Sequence, residues 1–243
     1  MAMIPQEEAI RAQIAGIRQR LAAACERVGR DPQEVTLMAV TKTVPAELIE
    51  VAWRSGILFF GENRVQEAAA KISPGLLHEF DRPTMTPQWH LIGHLQTNKV
   101  KKALELFQVI QSVDSLRLAE ALQRQALLAQ KKVEIFIEIN TSGEVAKFGA
   151  PPAAALTLAK NVAALPNLQL TGLMTVGALT DEPTLIRRCF RQLRELREEM
   201  NAAKLPGVNI RHLSMGMTDD FELAIAEGST MVRMGRAIFG ARH

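Results

Sequence analysis

Short apolar runs rich in Val and Ile alternate along the chain with longer stretches in which apolar residues recur every three or four positions. The short runs indicate buried strands, and the longer spacing is typical of amphipathic helices. The predicted strands cover 35–41, 57–60, 88–92, 108–113, 133–139, 168–174, 209–213 and 230–234. The predicted helices between them cover 46–55, 63–72, 97–106, 115–130, 152–164, 182–203 and 219–227, and another helix covers 5–28.

The alternation of strands and helices predicts the fold class. Eight strands with a helix between each consecutive pair favour right-handed βαβ units and a parallel sheet. A chain of 243 residues has the usual size of a closed (β/α)8 barrel of the TIM type. An open doubly wound sheet is the alternative, but it needs a glycine-rich turn after the first strand, and residues 41–45 (TKTVP) contain no glycine. We therefore predict the α/β class, with one barrel domain over 1–243 and the helix 5–28 packed on it.

The composition predicts a large core and excludes several classes of protein. Hydrophobic residues make up 47% of the chain and charged residues 23%, which excludes extended disorder. The formal net charge of +3 is spread along the chain, without the basic clusters that nucleic-acid binding uses. Two cysteines are too few for a disulfide framework or a zinc site, and no apolar run approaches a membrane span. We expect a reducing, cytoplasmic setting, and neither nucleic acid nor membrane as a partner.

Lys42 follows the apolar first strand, at the end of the barrel where active sites lie. A lysine among apolar walls loses proton affinity, and its neutral amine can attack a carbonyl group to form a Schiff base. The alternative is a lysine whose ammonium group extends into solvent. Position alone does not separate these two interpretations.

Two turns that contain glycine follow the seventh and eighth predicted strands. They read LSMGMT over 213–218 and RMGRA over 233–237. Barrels often bind a phosphate there, on backbone N–H groups and a helix N-terminus. Ser214 adds a hydroxyl group, and Gly216 and Gly235 let the backbone approach an anion closely. The glycines could serve tight turns only, but two such turns on adjacent strands favour a phosphate site.

Three further polar residues are candidates for the same end of the barrel. Arg233 lies within the apolar last strand, so its guanidinium group must meet a carboxylate or a ligand atom. Asn63 follows the second strand and can cap the next helix or reach a ligand, with the cap as the simpler interpretation. Glu62 is then expected to be solvated or to face the helix dipole. His90 and His94 lie in a strand and the turn after it, not on one helix face, so the zinc-helix signature fails.

Five segments together resemble the pyridoxal phosphate homeostasis protein family, which is related to the N-terminal barrel of alanine racemase. They are AVTKTVP at 39–45, GENRVQE at 61–67, WHLIG at 89–93, LSMGMTDD at 213–220 and STMVRMGRAIFG at 229–240. They follow the order of the family and extend over nearly the whole chain. Each segment alone is a weak signal, whereas the combination is highly specific.

The resemblance implies a barrel of the fold-type III class that binds pyridoxal 5′-phosphate (PLP) as a Schiff base on Lys42. It further implies that the turns after the seventh and eighth strands hold the phosphate, that Arg233 lies near the pyridine nitrogen and that Asn63 lies near the ring. The cofactor-binding residues assigned in this way are Lys42, Asn63, His90, Ser214, Met215, Gly216, Arg233, Gly235 and Arg236. No catalytic and no metal-binding residue is assigned.

Three residues depart from the pattern of the family. Arg64 replaces an aromatic residue that many members carry after the asparagine, and His94 stands where proline is common. Arg236 replaces a small hydroxyl residue beside the phosphate glycine. This last change adds a charge-assisted phosphate contact if the side chain points inward, and none if it points outward.

Three functions remain open at this point, of which we favour a PLP carrier or regulator without robust catalysis. An amino-acid racemase needs a second base, which related alanine racemases supply as tyrosine, and this chain has no tyrosine. The chain is also too short for the second domain of those enzymes. A Schiff-base aldolase without cofactor lacks an acid–base partner and leaves both glycine turns unexplained. We expect a monomer with PLP as its ligand and acceptor apoenzymes as further partners.

Overall fold

The computed structural model describes residues 5–72 and 86–240, and its eight strands form one closed parallel barrel. The strands are β1 (Thr36–Val40), β2 (Phe59–Glu62), β3 (Gln88–Leu91), β4 (Val109–Val113), β5 (Val133–Glu138), β6 (Leu168–Met174), β7 (Val208–Ser214) and β8 (Met231–Met234). Each strand pairs with the next along the chain, and β8 pairs with β1. The predicted closed barrel is confirmed. Because all pairs are parallel, the carboxyl ends of the strands lie at the same end, called the mouth below.

Apart from the last one, the helices of the described residues occupy the segments where amphipathic spacing predicts them. They are α1 (Pro5–Glu26), α2 (Ala46–Arg54), α3 (Val65–Lys71), α4 (Val100–Leu106), α5 (Leu116–Leu128), α6 (Ala155–Ala163), α7 (Pro183–Ala202), α8 (Phe221–Ala226) and α9 (Arg236–Phe239). Short 3-10 turns lie at Pro32–Glu34, Thr97–Lys99 and Pro152–Ala154. Within residues 5–72 and 86–240, no helix combines the length and apolar composition that crossing a membrane requires.

Helix α1 packs against α2, α8 and α9. Its apolar positions, spaced as a helix face, are buried in the core cluster; they are Ile10, Ile14, Ile17 and Leu21. Helices α8 and α9 follow the two glycine turns after β7 and β8. The first helix therefore supports, from outside the barrel, the elements that position those turns.

The barrel interior has its own small cluster of Met38, Val109, Phe136, Met174 and Met231. Phe136 stacks on His212 with ring centroids 5.6 Å apart. A Cβ on Gly172 would lie 2.7 Å from the Phe136 ring, so the glycine makes room for this stack. The interior is filled by side chains, as in other barrels of this size.

Strand β2 is Phe59–Glu62, shifted toward the mouth from the predicted 57–60. Gly61 faces the interior, where a Cβ would lie 2.9 Å from Ile92 and from Met38, so packing requires glycine within this strand. The expectation that Glu62 is solvated is wrong. Its side chain is fully buried and pairs with Lys71 on α3.

Candidate functional site

Lys42 follows β1 at the mouth and is half-buried. The next residue, Thr43, has a φ of 63°, which is a rare backbone conformation for a β-branched residue. Its backbone N–H donates a hydrogen bond to the Glu67 carboxylate on α3, and its hydroxyl donates to the Lys42 carbonyl oxygen at 2.6 Å. These bonds fix the backbone that carries Lys42.

Thr41, Glu62, Glu67 and Lys71 form an ionic cluster that links β1, β2 and α3. The Lys71 ammonium group donates to Glu62 Oε1 at 2.8 Å, to Glu67 Oε1 at 2.9 Å and to the Thr41 carbonyl oxygen at 2.7 Å. The Thr41 hydroxyl donates to the same Glu62 oxygen at 2.6 Å. Burial raises the pKa of Glu62, against the hydrogen bonds from Lys71 and Thr41. The cluster sets the position of the residue directly before Lys42.

Asn63 does not cap the next helix, because Arg64 occupies the cap position of α3. A Cβ on Gly93 would lie 2.7 Å from the Asn63 Cα atom, so glycine in the turn after β3 lets the two loops meet. The Asn63 amide oxygen is buried, and no described residue donates a hydrogen bond to it. A donor on a ligand would satisfy this oxygen.

The turn after β7 requires its glycine for structural reasons. Gly216 has a φ of +94°, and a Cβ there would lie 2.6 Å from the Ala224 Cβ atom. The Gly216 carbonyl oxygen accepts a hydrogen bond from the Arg233 backbone N–H at 3.0 Å, and the Met215 N–H donates to the Met231 carbonyl oxygen at 3.1 Å. The two turns are therefore joined directly.

The turn after β8 does not require its glycine. Gly235 has a φ of −108°, and a Cβ there would make ordinary contacts of 3.6 Å with Val40. Gly235 precedes α9, and the first N–H groups of a helix have no partner within it. No described residue accepts a hydrogen bond from the N–H groups of Arg236 or Ala237. The absence of a side chain at Gly235 thus leaves open space beside free backbone donors.

Arg233 joins the two turns from inside the barrel. Its guanidinium group donates to the Ser214 carbonyl oxygen at 2.6 Å, to the Ser214 hydroxyl oxygen at 2.8 Å and to the Thr175 carbonyl oxygen at 2.7 Å. Burial lowers the pKa of Arg233 to about 10, so the group is protonated at neutral pH. Because the Ser214 oxygen accepts from Arg233, its own proton can be donated to a ligand.

The structure directs the side chains of His90 and Arg236 away from this group, and their role in cofactor binding stays a prediction. His90 Nδ1 lies 2.7 Å from Gln111 Nε2, and its side chain lines a cavity of about 500 Å³ at the amino-terminal ends of the strands. Burial lowers the pKa of His90 to about 3, so the ring is neutral. Arg236 donates to the Asp219 carboxylate at 2.9 Å on the surface.

A pocket of about 380 Å³ opens at the mouth beside Asn63. Its floor includes Glu138 at the end of β5, a residue that the sequence motifs do not single out. Burial, together with the nearby Asp114 carboxylate, raises the pKa of Glu138 to about 7, against the opposing effect of Arg233. The signal in the sequence that could have identified Glu138 is an acid that directly follows the apolar residues 135–137 at the carboxyl end of a strand.

The sequence matches the family model of the alanine racemase N-terminal domain over residues 9–243. The pyridoxal phosphate homeostasis protein of Haemophilus influenzae is 41% identical over 93% of each chain. The protein of the same name from Escherichia coli K12 is 42% identical, over 94% of this chain and 95% of the relative.

Solved structures share the whole fold. An unknown protein from Bifidobacterium adolescentis is 41% identical, with a TM-score of 0.93 and 98% of each chain covered. PipY of Synechococcus elongatus, solved with PLP bound, is 34% identical with a TM-score of 0.81, over 95% of this chain and 100% of PipY. An alanine racemase of Clostridium difficile has a TM-score of 0.75 at 14% identity and shares the fold alone.

Proposed function

Because this chain belongs to the pyridoxal phosphate homeostasis protein family, within the alanine racemase N-terminal domain group, we propose that it binds PLP on Lys42 and acts as a carrier or regulator of this cofactor. The observation that carries the proposal is the joining of the two glycine turns by Arg233 at the barrel end where Lys42 lies. The relative PipY has been solved with PLP bound, which supports the choice of cofactor.

The residues at the mouth fit the parts of PLP. The phosphate fits the turns, where the N–H groups of Arg236 and Ala237 have no described acceptor and the Ser214 hydroxyl can donate. A Cβ on Gly235 would occupy the space proposed for the phosphate. It would make only ordinary contacts with the protein itself. The aldehyde carbon of PLP fits beside Lys42. The buried Asn63 amide oxygen can accept a hydrogen bond from a donor on the PLP ring.

Arg233 favours binding of the cofactor over catalysis. When bound to an amine, PLP supplies an electron sink whose strength depends on a protonated pyridine nitrogen. The Arg233 guanidinium group stays protonated, so it can donate to that nitrogen but cannot accept from it. Without tyrosine in the chain, the second base of the related racemases has no counterpart either. We propose that robust racemisation is absent.

The remaining parts of the proposal concern the oligomeric state, the location and the partners of the protein. We expect a monomer in the cytoplasm that supplies acceptor apoenzymes with PLP. Light scattering during size-exclusion chromatography tests the oligomeric state, with the mass of one chain as the expected result. A mass of two chains or more would contradict it.

Absorption spectroscopy tests the proposed function. PLP titrated into the protein is expected to give a visible band that borohydride removes, and Lys42→Ala is expected to lose it. Lys99→Ala is the matched control, because Lys99 lies in the 3-10 turn before α4, and should keep the band. A visible band of full intensity in Lys42→Ala would overturn the assignment.

A further inference from the structure

A second cavity lies at the amino-terminal ends of the strands, at the opposite end of the barrel from Lys42, and is called the amino-terminal cavity below. Its volume of about 500 Å³ is within the range of small-molecule sites. All eight strands contribute to its lining, which includes Phe59, His90, Val109, Glu134, Phe136 and His212. This end of a barrel ordinarily serves stability alone. The polar groups in the lining point instead to a binding site.

Three lining residues lie at the same level on neighbouring strands. His90 on β3 is in register with Val109 on β4, and Val109 is in register with Glu134 on β5. Because neighbouring strands are about 4.8 Å apart, the Cα atoms of His90 and Glu134 are roughly 10 Å apart. The short Val109 side chain between them leaves room for a small ligand that contacts both polar side chains.

His90 supplies a hydrogen-bond donor to this space. Burial, together with the nearby His212, lowers the pKa of His90 to about 3, so the neutral ring carries one N–H group. His90 Nδ1 lies 2.7 Å from Gln111 Nε2, an amide nitrogen that can only donate and that also donates to Met231 Sδ at 3.2 Å. The ring proton is therefore on Nε2, which has no acceptor among the described residues. Since His90 is 4% exposed, a ligand in the cavity is the natural acceptor.

Glu134 supplies the acceptor on the other side of Val109. Its Oε2 atom accepts from the Thr171 hydroxyl at 3.3 Å, and no described residue donates to Oε1 or forms an ion pair with the carboxylate. Burial, followed by Arg211, lowers the pKa of His212 against the effect of Glu134, so this ring is neutral at pH 7 and does not balance the charge. The carboxylate therefore disfavours an anionic ligand and favours one with N–H groups.

The walls of the cavity favour a flat ligand. The rings of Phe59 and Phe136 meet the His90 ring edge to face, with centroids 5.9 Å and 6.4 Å from it. Aromatic rings in such positions bind another ring through stacking or edge contacts. A hydrocarbon ring would leave the His90 donor and the Glu134 acceptor unsatisfied, which is costly in a site closed to water. A flat ring that carries both an acceptor and a donor satisfies all of these groups.

We propose that the amino-terminal cavity binds a neutral planar nitrogen heterocycle, with an exocyclic amino group on Glu134 and a ring nitrogen that accepts from His90. Aminopyrimidines and aminopurines are the chemical class with these two features. The cavity and Lys42 lie at opposite ends of the barrel, so this inference does not rest on the proposed function.

Calorimetry with adenine tests the site on the full chain, and saturable binding is the expected result. Glu134→Leu is expected to weaken adenine binding about tenfold or more, the scale of a lost hydrogen bond to a charged group. Glu105→Leu is the matched control, because Glu105 lines the exposed edge of the same cavity and its carboxylate is held by Lys102 at 2.8 Å. This variant should bind adenine within about twofold of the natural chain.

Ligand analogues keep the test independent of the folding of any variant. On the natural chain, purine, which differs from adenine only in lacking the amino group, should bind about tenfold more weakly or worse. Indole, a flat ring system without an acceptor nitrogen, should also bind more weakly than adenine. Absence of adenine binding, equal binding of adenine and purine, or unchanged binding in Glu134→Leu would refute the site.

Two further measurements separate this inference from the proposed function. Borohydride reduction of the PLP-loaded protein fixes PLP on the protein, and adenine should bind this form as it binds the cofactor-free form. If fixed PLP abolishes adenine binding, adenine occupies the mouth, and the inference fails while the proposed function stands. If the absorption titration shows no PLP binding but adenine binds as described, the proposed function fails and the amino-terminal site remains.

Discussion

The glycines of the two turns have different reasons to be glycine. Gly216 has a positive φ and touches Ala224, so the fold itself excludes a side chain. Gly235 has neither constraint, and the proposed phosphate beside the α9 N-terminus offers a reason for its missing side chain. Comparing the two positions separates effects on folding from effects on binding.

Alanine substitutions at these glycines are expected to have opposite profiles. Gly216→Ala should lower the free energy of unfolding by about 1–3 kcal/mol, the cost of a strained backbone. Gly235→Ala should leave it within about 0.5 kcal/mol, yet weaken PLP retention because its methyl group stands beside the backbone donors. Denaturant unfolding and equilibrium dialysis measure the two effects. A Gly235→Ala variant that retains PLP fully would place the phosphate elsewhere.

Glu138 should make stability depend on pH. Its pKa is raised from 4.5 to about 7 by burial and by Asp114, with Arg233 opposing. The folded state therefore keeps a proton that the unfolded state has lost between these values, and stability falls as pH rises from 4.5 to 7. The loss is on the order of 3 kcal/mol at most. Urea unfolding should show this slope reduced in Glu138→Gln, and an identical slope would contradict the assignment.

Some residues of the site could not be predicted from the sequence. Lys42, Ser214 and Arg233 are recognisable because each departs from an apolar strand or a glycine turn. Whether an acid at a strand end is paired, as Glu62 is, or lacks a donor, as Glu138 does, depends on neighbours far away in the chain. The depth of the His90 side chain along the barrel axis is likewise not given by the sequence, because alternation predicts which way a side chain points and not where along the axis it lies.

At the scale of elements, the ionic cluster of Thr41, Glu62, Glu67 and Lys71 holds α3 against the β1 end. Lys71→Ala would leave the fully buried Glu62 carboxylate without its cation. We expect a loss of about 3–5 kcal/mol in the free energy of unfolding, typical of breaking a buried pair. Lys102→Ala removes an exposed pair with Glu105 and should cost less than about 1 kcal/mol. Equal losses in the two variants would show that the cluster is not a support.

The elements themselves follow from apolar periodicity with small shifts. Strand β2 lies closer to the mouth than predicted, because glycine and glutamate in sequence are typical of a turn. In the structure, packing against the interior accommodates Gly61 in the strand, and the ion pair with Lys71 accommodates Glu62. Helix α9 was not predicted, because Arg236–Phe239 is too short to show helical spacing. Its place directly after Gly235 matters for the proposed phosphate site.

At the scale of the whole molecule, the proposed binding of PLP without robust catalysis predicts slow proton exchange on amino acids. Deuterium uptake at the Cα atom of a panel of amino acids in heavy water should proceed no faster with the PLP-loaded protein than with free PLP. The physical reasons are the permanently protonated Arg233 and the absence of tyrosine. Exchange at about 1 s⁻¹ or faster that disappears in Lys42→Ala would instead support a racemase.

The central claim is that PLP is held on Lys42 between the turns after β7 and β8. Borohydride reduction of the PLP-loaded protein, followed by peptide mapping, tests it most directly because the reduced link survives digestion. The account predicts that the pyridoxyl group is found on the peptide that contains Lys42. Recovery of the label mainly on Lys99, Lys147 or another lysine would contradict it.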